Sequence, residues 1–342
     1  MRRCFELAKQ GEGKVAPNPM VGAVLVFNDS IIGEGYHNEF GKEHAEVNCI
    51  NSVANEHLHL VNQSTLYVSL EPCAHFGKTP PCTNLIIEKK IPRVVIGCQD
   101  SFLKVDGKGI EAMRKAGIEV IGPVLEKEAL DLNKRFFTFH ATLRPYIILK
   151  WAQTANEMIA HQNDTRLLIS SESTNRQVHK WRSEEASILV GSTTALLDNP
   201  SLTNRLWPGK SPIRLVIDRN LSIQSTAHLL DGSVKTIVFN SIKQEEVGAI
   251  LYYKILGNNS WVLTITEALY QMNIQSLLVE GGAILLQSFI DENCWDEARV
   301  ITNTEMEVPV GLKAPVLINA EKYFSETIEK DSIQYYRRIT TS

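Results

Sequence analysis

The sequence predicts two α/β domains in tandem. Short β-branched runs alternate with helix-period segments from Val21 to Phe139, a pattern that packs helices on a sheet. The alternation restarts after Leu143-Arg144-Pro145, where the residue before a proline is pushed toward extended geometry. A length of 342 residues suits two cores at roughly 100–200 residues per domain. The expected domains are residues 1–143 and 144–342.

Taken in order, Arg2 to Gly11 is a short helix, and Val21 to Phe27 with Ile31 to Gly35 forms a hairpin turned at Asn28-Asp29. A helix starts near His44, followed by a strand at Thr65 to Ser69, a helix at Thr83 to Lys89 and a strand at Arg93 to Gly97. Then come a helix at Ile110 to Ala116, a strand at Ile118 to Ile121 and one helix from Val124 to Phe139. In the second domain, strands are expected at Pro145 to Ala152, Ser187 to Val190, Ile213 to Ile217, Thr236 to Phe239, Leu277 to Val279 and Glu297 to Ile301. Helices are expected at Ser173 to Glu184 and Ala283 to Glu292.

Composition narrows the function classes. Hydrophobic residues make up 44% and charged residues 22%, far from the signature of disorder. With 35 Lys+Arg against 39 Asp+Glu, the formal charge of -4 provides no global field for nucleic acid. Glu6, Lys9 and Glu12 interrupt any secretory signal, and the apolar runs fall far below the roughly 18 residues of a membrane span. The expectation is a cytoplasmic protein with no membrane partner. In that reducing compartment, clustered cysteines point to metal or catalysis.

Two of the six cysteines belong to such a cluster. His44-Ala45-Glu46 precedes Glu71-Pro72-Cys73, and Cys82 follows. Two thiolates and an imidazole have the softness of Zn2+ ligands, and three protein ligands leave the fourth tetrahedral position open for catalysis. Zinc lowers the pKa of its water to about 7, and deamination also needs a base that shuttles the proton to the leaving ammonia. Glu46, two residues from His44, is the candidate. His-x-Glu or Pro-Cys alone carries little weight; the ordered set carries much. Cys4, Cys49, Cys98 and Cys294 read as buried free thiols.

Around this set, Pro17-Asn18-Pro19-Met20-Val21-Gly22-Ala23-Val24 and Glu71-Pro72-Cys73-Ala74-His75-Phe76-Gly77-Lys78-Thr79-Pro80-Pro81-Cys82 resemble the bifunctional riboflavin-biosynthesis deaminase/reductase family. General zinc deaminases space their cysteines as Cys-x-x-Cys, so the longer loop narrows the match. The resemblance implies an N-terminal cytidine-deaminase-like three-layer α/β/α domain and a C-terminal dihydrofolate-reductase-like α/β domain. For the first domain it implies a diaminopyrimidinone substrate bearing a ribosylamino 5′-phosphate, bound by Asn18, His37, His75, Lys78 and Asp100. Lys78 suits the phosphate, while Asn18 and His37 suit a polar heterocycle. The family's Asp-Pro-Asn-Pro becomes Asp100-Ser101-Phe102-Leu103, which deletes any contact made by that Asn.

For the second domain the resemblance implies NADPH-dependent reduction of the ribosyl group to ribityl. No Gly-x-Gly-x-x-Gly is present, but Leu277-Leu278-Val279-Glu280-Gly281-Gly282 opens a helix at Ala283, where backbone N–H groups can approach a phosphate. Ile188 to Thr194 and Asp198 to Arg205 also match. By implication Gln153, Leu168, Ser170, Thr194, Asp198 and Gly282 contact the cofactor, and Arg182, Leu202, Arg205 and Glu280 the substrate. Arginine forks suit its phosphate. Lys150 is the candidate for polarisation or proton supply, and Arg219 suits a 2′-phosphate or equally a solvated turn. Leu168 stands where the family has Trp, which removes an aromatic wall, and Thr154-Ala155-Asn156-Glu157 replaces Ser-Leu-Asp-Gly.

The expected function is riboflavin biosynthesis by hydrolytic deamination and then reduction, on a small pyrimidine ribotide, in a chain compatible with a homo-oligomer. One competitor is a deaminase with an inactive structural second domain, which the departures would favour. Another is an RNA-editing deaminase with a nucleic-acid-binding domain, opposed by the charge and by the lack of an aromatic-basic stripe.

Overall fold

The structure is a computed structural model that describes residues 1–76, 80–100, 107–162, 167–257 and 260–339. The chain divides into two compact units, Met1–Leu143 and Arg144–Ser342.

The first unit runs α1 (Arg2–Lys9), β1 (Gly22–Phe27), β2 (Ser30–Tyr36), α2 (Ala45–Asn51), β3 (Thr65–Val68), α3 (Cys82–Glu88), β4 (Arg93–Ile96), α4 (Lys108–Lys115), β5 (Glu119–Ile121), α5 (Glu126–Leu132) and α6 (Lys134–Thr142). Asn28 and Asp29 take φ of 46° and 61°, the left-handed pair that a two-residue hairpin turn requires between β1 and β2. The sheet order is β2-β1-β3-β4-β5, with β1 antiparallel to both neighbours and β3, β4 and β5 parallel. Alternation along β1 sends Ala23 and Leu25 into a core with Cys49 of α2, Ile86 of α3 and Met113 of α4. Val24 faces the other way, onto Cys4 and Leu7 of α1. Helices thus cover both faces, giving three α/β/α layers.

One expectation for this unit is corrected. The helix expected from Val124 to Phe139 is two helices, because Asn133 leaves helical geometry (φ -110°) and turns its buried side chain onto the backbone of Met20.

The second unit runs β6 (Tyr146–Thr154), β7 (Met158–His161), α7 (Glu172–Glu184), β8 (Ser187–Gly191), α8 (Ser192–Asp198), β9 (Ile213–Ile217), β10 (Thr236–Asn240), β11 (Glu245–Val247) and β12 (Ile250–Lys254). It continues with α9 (Trp261–Gln271), β13 (Ser276–Val279), α10 (Ala283–Asp291), β14 (Glu297–Asn303), β15 (Gly311–Lys313), β16 (Ala320–Ile328) and β17 (Asp331–Arg338). The large sheet has the order β11-β12-β10-β9-β8-β13-β6-β14-β17-β16 and is parallel from β12 through β14. Leu277 and Val279 face α9 and α10, while Leu278 between them faces α7 and α8. The strands are apolar on both sides because both faces are covered.

Several elements here go beyond the sequence reading. In α9, Val262, Thr264, Ile265 and Thr266 give the helix a strand-like composition. β16 is exposed along most of its length, so its charged residues mask the strand pattern.

Candidate active sites

His44 lies immediately before α2 in extended geometry, and Cys82 is the first residue of α3, so two helix starts converge on the turn that carries Cys73. His44 Nδ1 is 3.6 Å from Cys73 Sγ and 3.3 Å from Cys82 Sγ, and the three ligand atoms all lie within 4.8 Å of one another. Tetrahedral zinc with ordinary bond lengths separates its N and S donors by about 3.6 Å, so these residues fit the ion. The Cys82 backbone N–H donates to Cys73 Sγ at 3.4 Å, and the Cys73 carbonyl accepts from the Thr83 N–H and hydroxyl, both at 3.2 Å.

The electrostatics favour a thiolate on Cys73. Its pKa is held down at about 4 by the Cys82 thiol hydrogen bond, against burial, with His44 and the Cys82 N–H assisting. The Cys82 thiol is pushed up by that same bond and by burial. His44 is raised by its bond to Cys73, against burial. Glu46, the second residue of α2, is 3% exposed, and burial pushes its carboxyl up to about 6, with the Cys73 charge adding and His44 opposing.

Of the residues expected at the substrate, Asn18 and His37 come together: Asn18 Nδ2 is 3.1 Å from His37 Nε2. His37 Nδ1 lies 2.9 Å from the Glu43 carbonyl oxygen, an acceptor only, so Nδ1 carries the proton and Nε2 accepts from Asn18. Burial lowers the His37 pKa and keeps the ring neutral, and the ring meets His44 edge-on with centroids 5.4 Å apart. His75 is exposed, and Asp100 is buried. Lys78 and the departure at Ser101, Phe102 and Leu103 lie outside the described residues. Glu71 has no assigned role in the sequence reading, yet it is 4% exposed and accepts backbone N–H bonds from Asp100 and from the start of α4. Its place in the Glu-Pro-Cys motif was the available signal.

The second unit holds a cleft of about 680 Å3 at the carboxyl ends of β6, β8 and β13. Lys150, Arg182, Leu202 and Glu280 line it, as do Leu168, Ser170, Thr194, Asp198 and Gly282. Arg182 grips Glu280 with two hydrogen bonds of 2.8 and 2.7 Å, and Lys150 Nζ lies 3.7 Å from the same carboxylate. Burial pushes Glu280 up, but Arg182 and Lys150 overcome it and hold the carboxylate at about 2. Burial lowers the Lys150 pKa, with Glu280 opposing and Arg182 adding. Gly282 has φ of +65°, and a Cβ on Gly281 would lie 3.0 Å from Val190 Cγ1, so the paired glycines let α10 start directly against β8.

Three of the expected residues lie outside the lining of this cleft. Gln153 is not among the lining residues; its Oε1 accepts from Trp151 Nε1 at 2.8 Å, on the face of β6 opposite Lys150 and Ala152. The Arg205 side chain is also outside the lining and donates to Thr203 Oγ1 at 2.9 Å. Arg219 stacks on Trp261, 4.6 Å from the ring centre, away from the lining. His161 and Gln162 do line the cleft and were missed.

Comparison with known proteins identifies the family of both units. Residues 1–98 match the cytidine and deoxycytidylate deaminase zinc-binding region, and residues 145–306 match the RibD C-terminal domain. The riboflavin biosynthesis protein RibD of Aquifex aeolicus is 39% identical over 303 residues, covering 86% of this chain and 83% of that protein. RibD of Bacillus amyloliquefaciens is 37% identical over 337 residues, covering 95% and 88%. The chain belongs to the RibD family.

Family membership makes the chain a bifunctional enzyme of riboflavin biosynthesis, with a zinc-binding deaminase domain and a reductase domain. A crystal structure of a diaminohydroxyphosphoribosylaminopyrimidine deaminase/5-amino-6-(5-phosphoribosylamino)uracil reductase from Thermotoga maritima is similar throughout. It has a TM-score of 0.90 and 37% identity, and covers 99% of this chain and 97% of that one. The two α/β folds expected from the sequence are those of the RibD family.

Proposed function

We propose that the first unit deaminates a diaminopyrimidinone ribosylamino 5′-phosphate, with His44, Cys73 and Cys82 holding zinc and Glu46 moving the protons. The convergence of the three ligand atoms within 4.8 Å, with the buried Glu46 beside them, carries this reading. Zinc, when bound, supplies the Lewis acidity that makes water a nucleophile near neutral pH. Hydrolysis of the C–NH2 bond requires a proton to leave the attacking water and another to reach the departing amine. The buried Glu46 carboxylate can accept the proton from the water and deliver one to the departing amine. Asn18 and the neutral His37 orient each other for the polar ring, and the buried Asp100 is read as a further substrate contact by resemblance.

In the second unit, NADPH supplies a hydride when bound. With such a hydride at the anomeric carbon, the bond to the ring oxygen would open and that oxygen would need a proton. Lys150 is positioned by Glu280 to donate it, and burial makes its ammonium a stronger acid. Arg182, held in place by its two bonds to Glu280, presents an Nη1 N–H toward the loop that carries Leu202, where Thr203 O accepts at 3.3 Å. The reading places the enzyme in the cytoplasm, acting on a small molecule without nucleic acid. Among the described residues no helix is long and apolar enough to cross a membrane.

The test is incubation of purified protein with the ribotide, with and without NADPH, and identification of products by mass. Deamination without NADPH and ribityl product only with it are expected. No mass change in either arm would remove the proposal.

A further inference from the structure

Glu71 receives four backbone N–H groups on one buried carboxylate. Oε1 accepts from Gly109 at 2.8 Å and Ile110 at 3.2 Å, and Oε2 accepts from Asp100 and Gly107, both at 3.2 Å. Asp100 and Gly107 flank the connection from β4 to α4, and Gly109 and Ile110 belong to the first turn of α4. One side chain therefore ties both flanks of that connection and satisfies donors that a helix start leaves open. The negative charge also suits the positive end of the helix dipole. The approach is close: a Cβ on Gly109 would lie 2.1 Å from the Pro72 carbonyl oxygen and 3.0 Å from Glu71 Oε1. The start of α4 rests directly on the Glu71-Pro72-Cys73 turn.

We infer that Glu71 is a positioning residue for the deamination, fixing the Asp100 wall of the substrate site against the turn that carries the metal ligand Cys73. The inference rests on reading the first unit as the ribotide deaminase. Only a carboxylate can accept on both arms. A glutamine amide would face two of the four N–H groups with its own donors, freeing either the Asp100 side or the α4 side. Cys73 keeps its separate supports from Cys82 and Thr83, His44 immediately precedes α2 and Glu46 lies within it, so the reacting groups stay in place. Loss of a fixed Asp100 then weakens ground state and transition state alike, which raises KM and spares kcat.

Full-length Glu71→Gln and Glu71→Asp proteins test this, with zinc per chain measured alongside ammonia release from the ribotide. Glu71→Gln is expected to keep one zinc, to hold kcat within about threefold, and to raise KM about tenfold or more. Glu71→Asp, which keeps the charge on a shorter arm, is expected to recover part of that KM. A wild-type KM in Glu71→Gln overturns the inference. So does a kcat loss at unchanged KM, or loss of zinc in both variants, which would make Glu71 a support of the metal site. Absence of ammonia release from the wild-type protein overturns the deaminase reading itself and is seen without any Glu71 variant.

Discussion

Asn133 holds the backbone of Met20 with both ends of its amide. The Met20 N–H donates to Oδ1 at 2.8 Å, and Nδ2 donates to the Met20 carbonyl at 2.9 Å, across 113 residues of sequence. The break between α5 and α6 thereby fixes the Pro17-Asn18-Pro19-Met20 loop, whose Asn18 pairs with His37. Asn133→Ala orphans both groups at a part-buried site, at about 1–3 kcal/mol. Hydrogen exchange at the Met20 amide should accelerate, and the deaminase KM should rise. Unchanged protection at Met20 would show that the loop is held by other contacts.

Glu46→Gln should leave zinc bound and cut deaminase turnover by about 10²–10⁴, because the amide cannot accept the water's proton. Cys82→Ser or a strong chelator should remove the metal and the deaminase activity together. NADPH oxidation with the already deaminated substrate should survive both, since Lys150 and Glu280 belong to the other unit. Metal analysis and separate assays of the two activities check this. A Glu46→Gln enzyme within a few-fold of wild type would take the proton shuttle away from Glu46.

The cluster of His44, Cys73 and Cys82 was legible because ligand chemistry fixes residue type and order. Their convergence needs only two helix starts and one turn. The hairpin at Asn28-Asp29 was legible because few residues accept its left-handed backbone. Asn133 was not, since a helix-compatible pattern continues through it and only the distant Met20 gives it a reason to break the helix. For Gln153 the resemblance carries over a position, and strand alternation turns its side chain to Trp151. β16 escaped notice because an exposed outermost strand lacks the apolar face that marks a strand in sequence.

The reductase should show an alkaline limb set by Lys150, which donates only when protonated. Burial lowers the Lys150 pKa, Glu280 opposes this, and Arg182 adds to it. Glu280→Gln removes the opposing charge 3.7 Å from Nζ, so the ammonium becomes easier to deprotonate. The limb should move to lower pH. Profiles of kcat against pH at saturating NADPH decide it. A limb that stays in place assigns the proton to another group.

His179 should make the second unit sensitive to mild acid. The residue is 1% exposed on α7, and its Nδ1 accepts the N–H groups of Arg205 at 2.9 Å and Leu206 at 3.5 Å. A proton on Nδ1 would face two donors, so the folded unit keeps the ring neutral. Burial pushes its pKa down to about 4, with Arg182 and Arg205 adding and Glu280 opposing. An unfolded histidine titrates near 6.5, so between about 6.5 and 4 the unfolded chain binds a proton that the folded one refuses. The stability is therefore whole above that window and falls as the pH drops through it, by at most about 3 kcal/mol. His179→Asn puts a neutral acceptor close to the position of Nδ1 and should lack this part of the slope. All five tryptophans lie in the second unit, so their fluorescence in urea titrations reports its unfolding alone. Between pH 7 and 4.5 the wild-type unit should lose about 2–3 kcal/mol more than His179→Asn. Equal losses would mean that His179 takes up its proton without leaving the Arg205 loop.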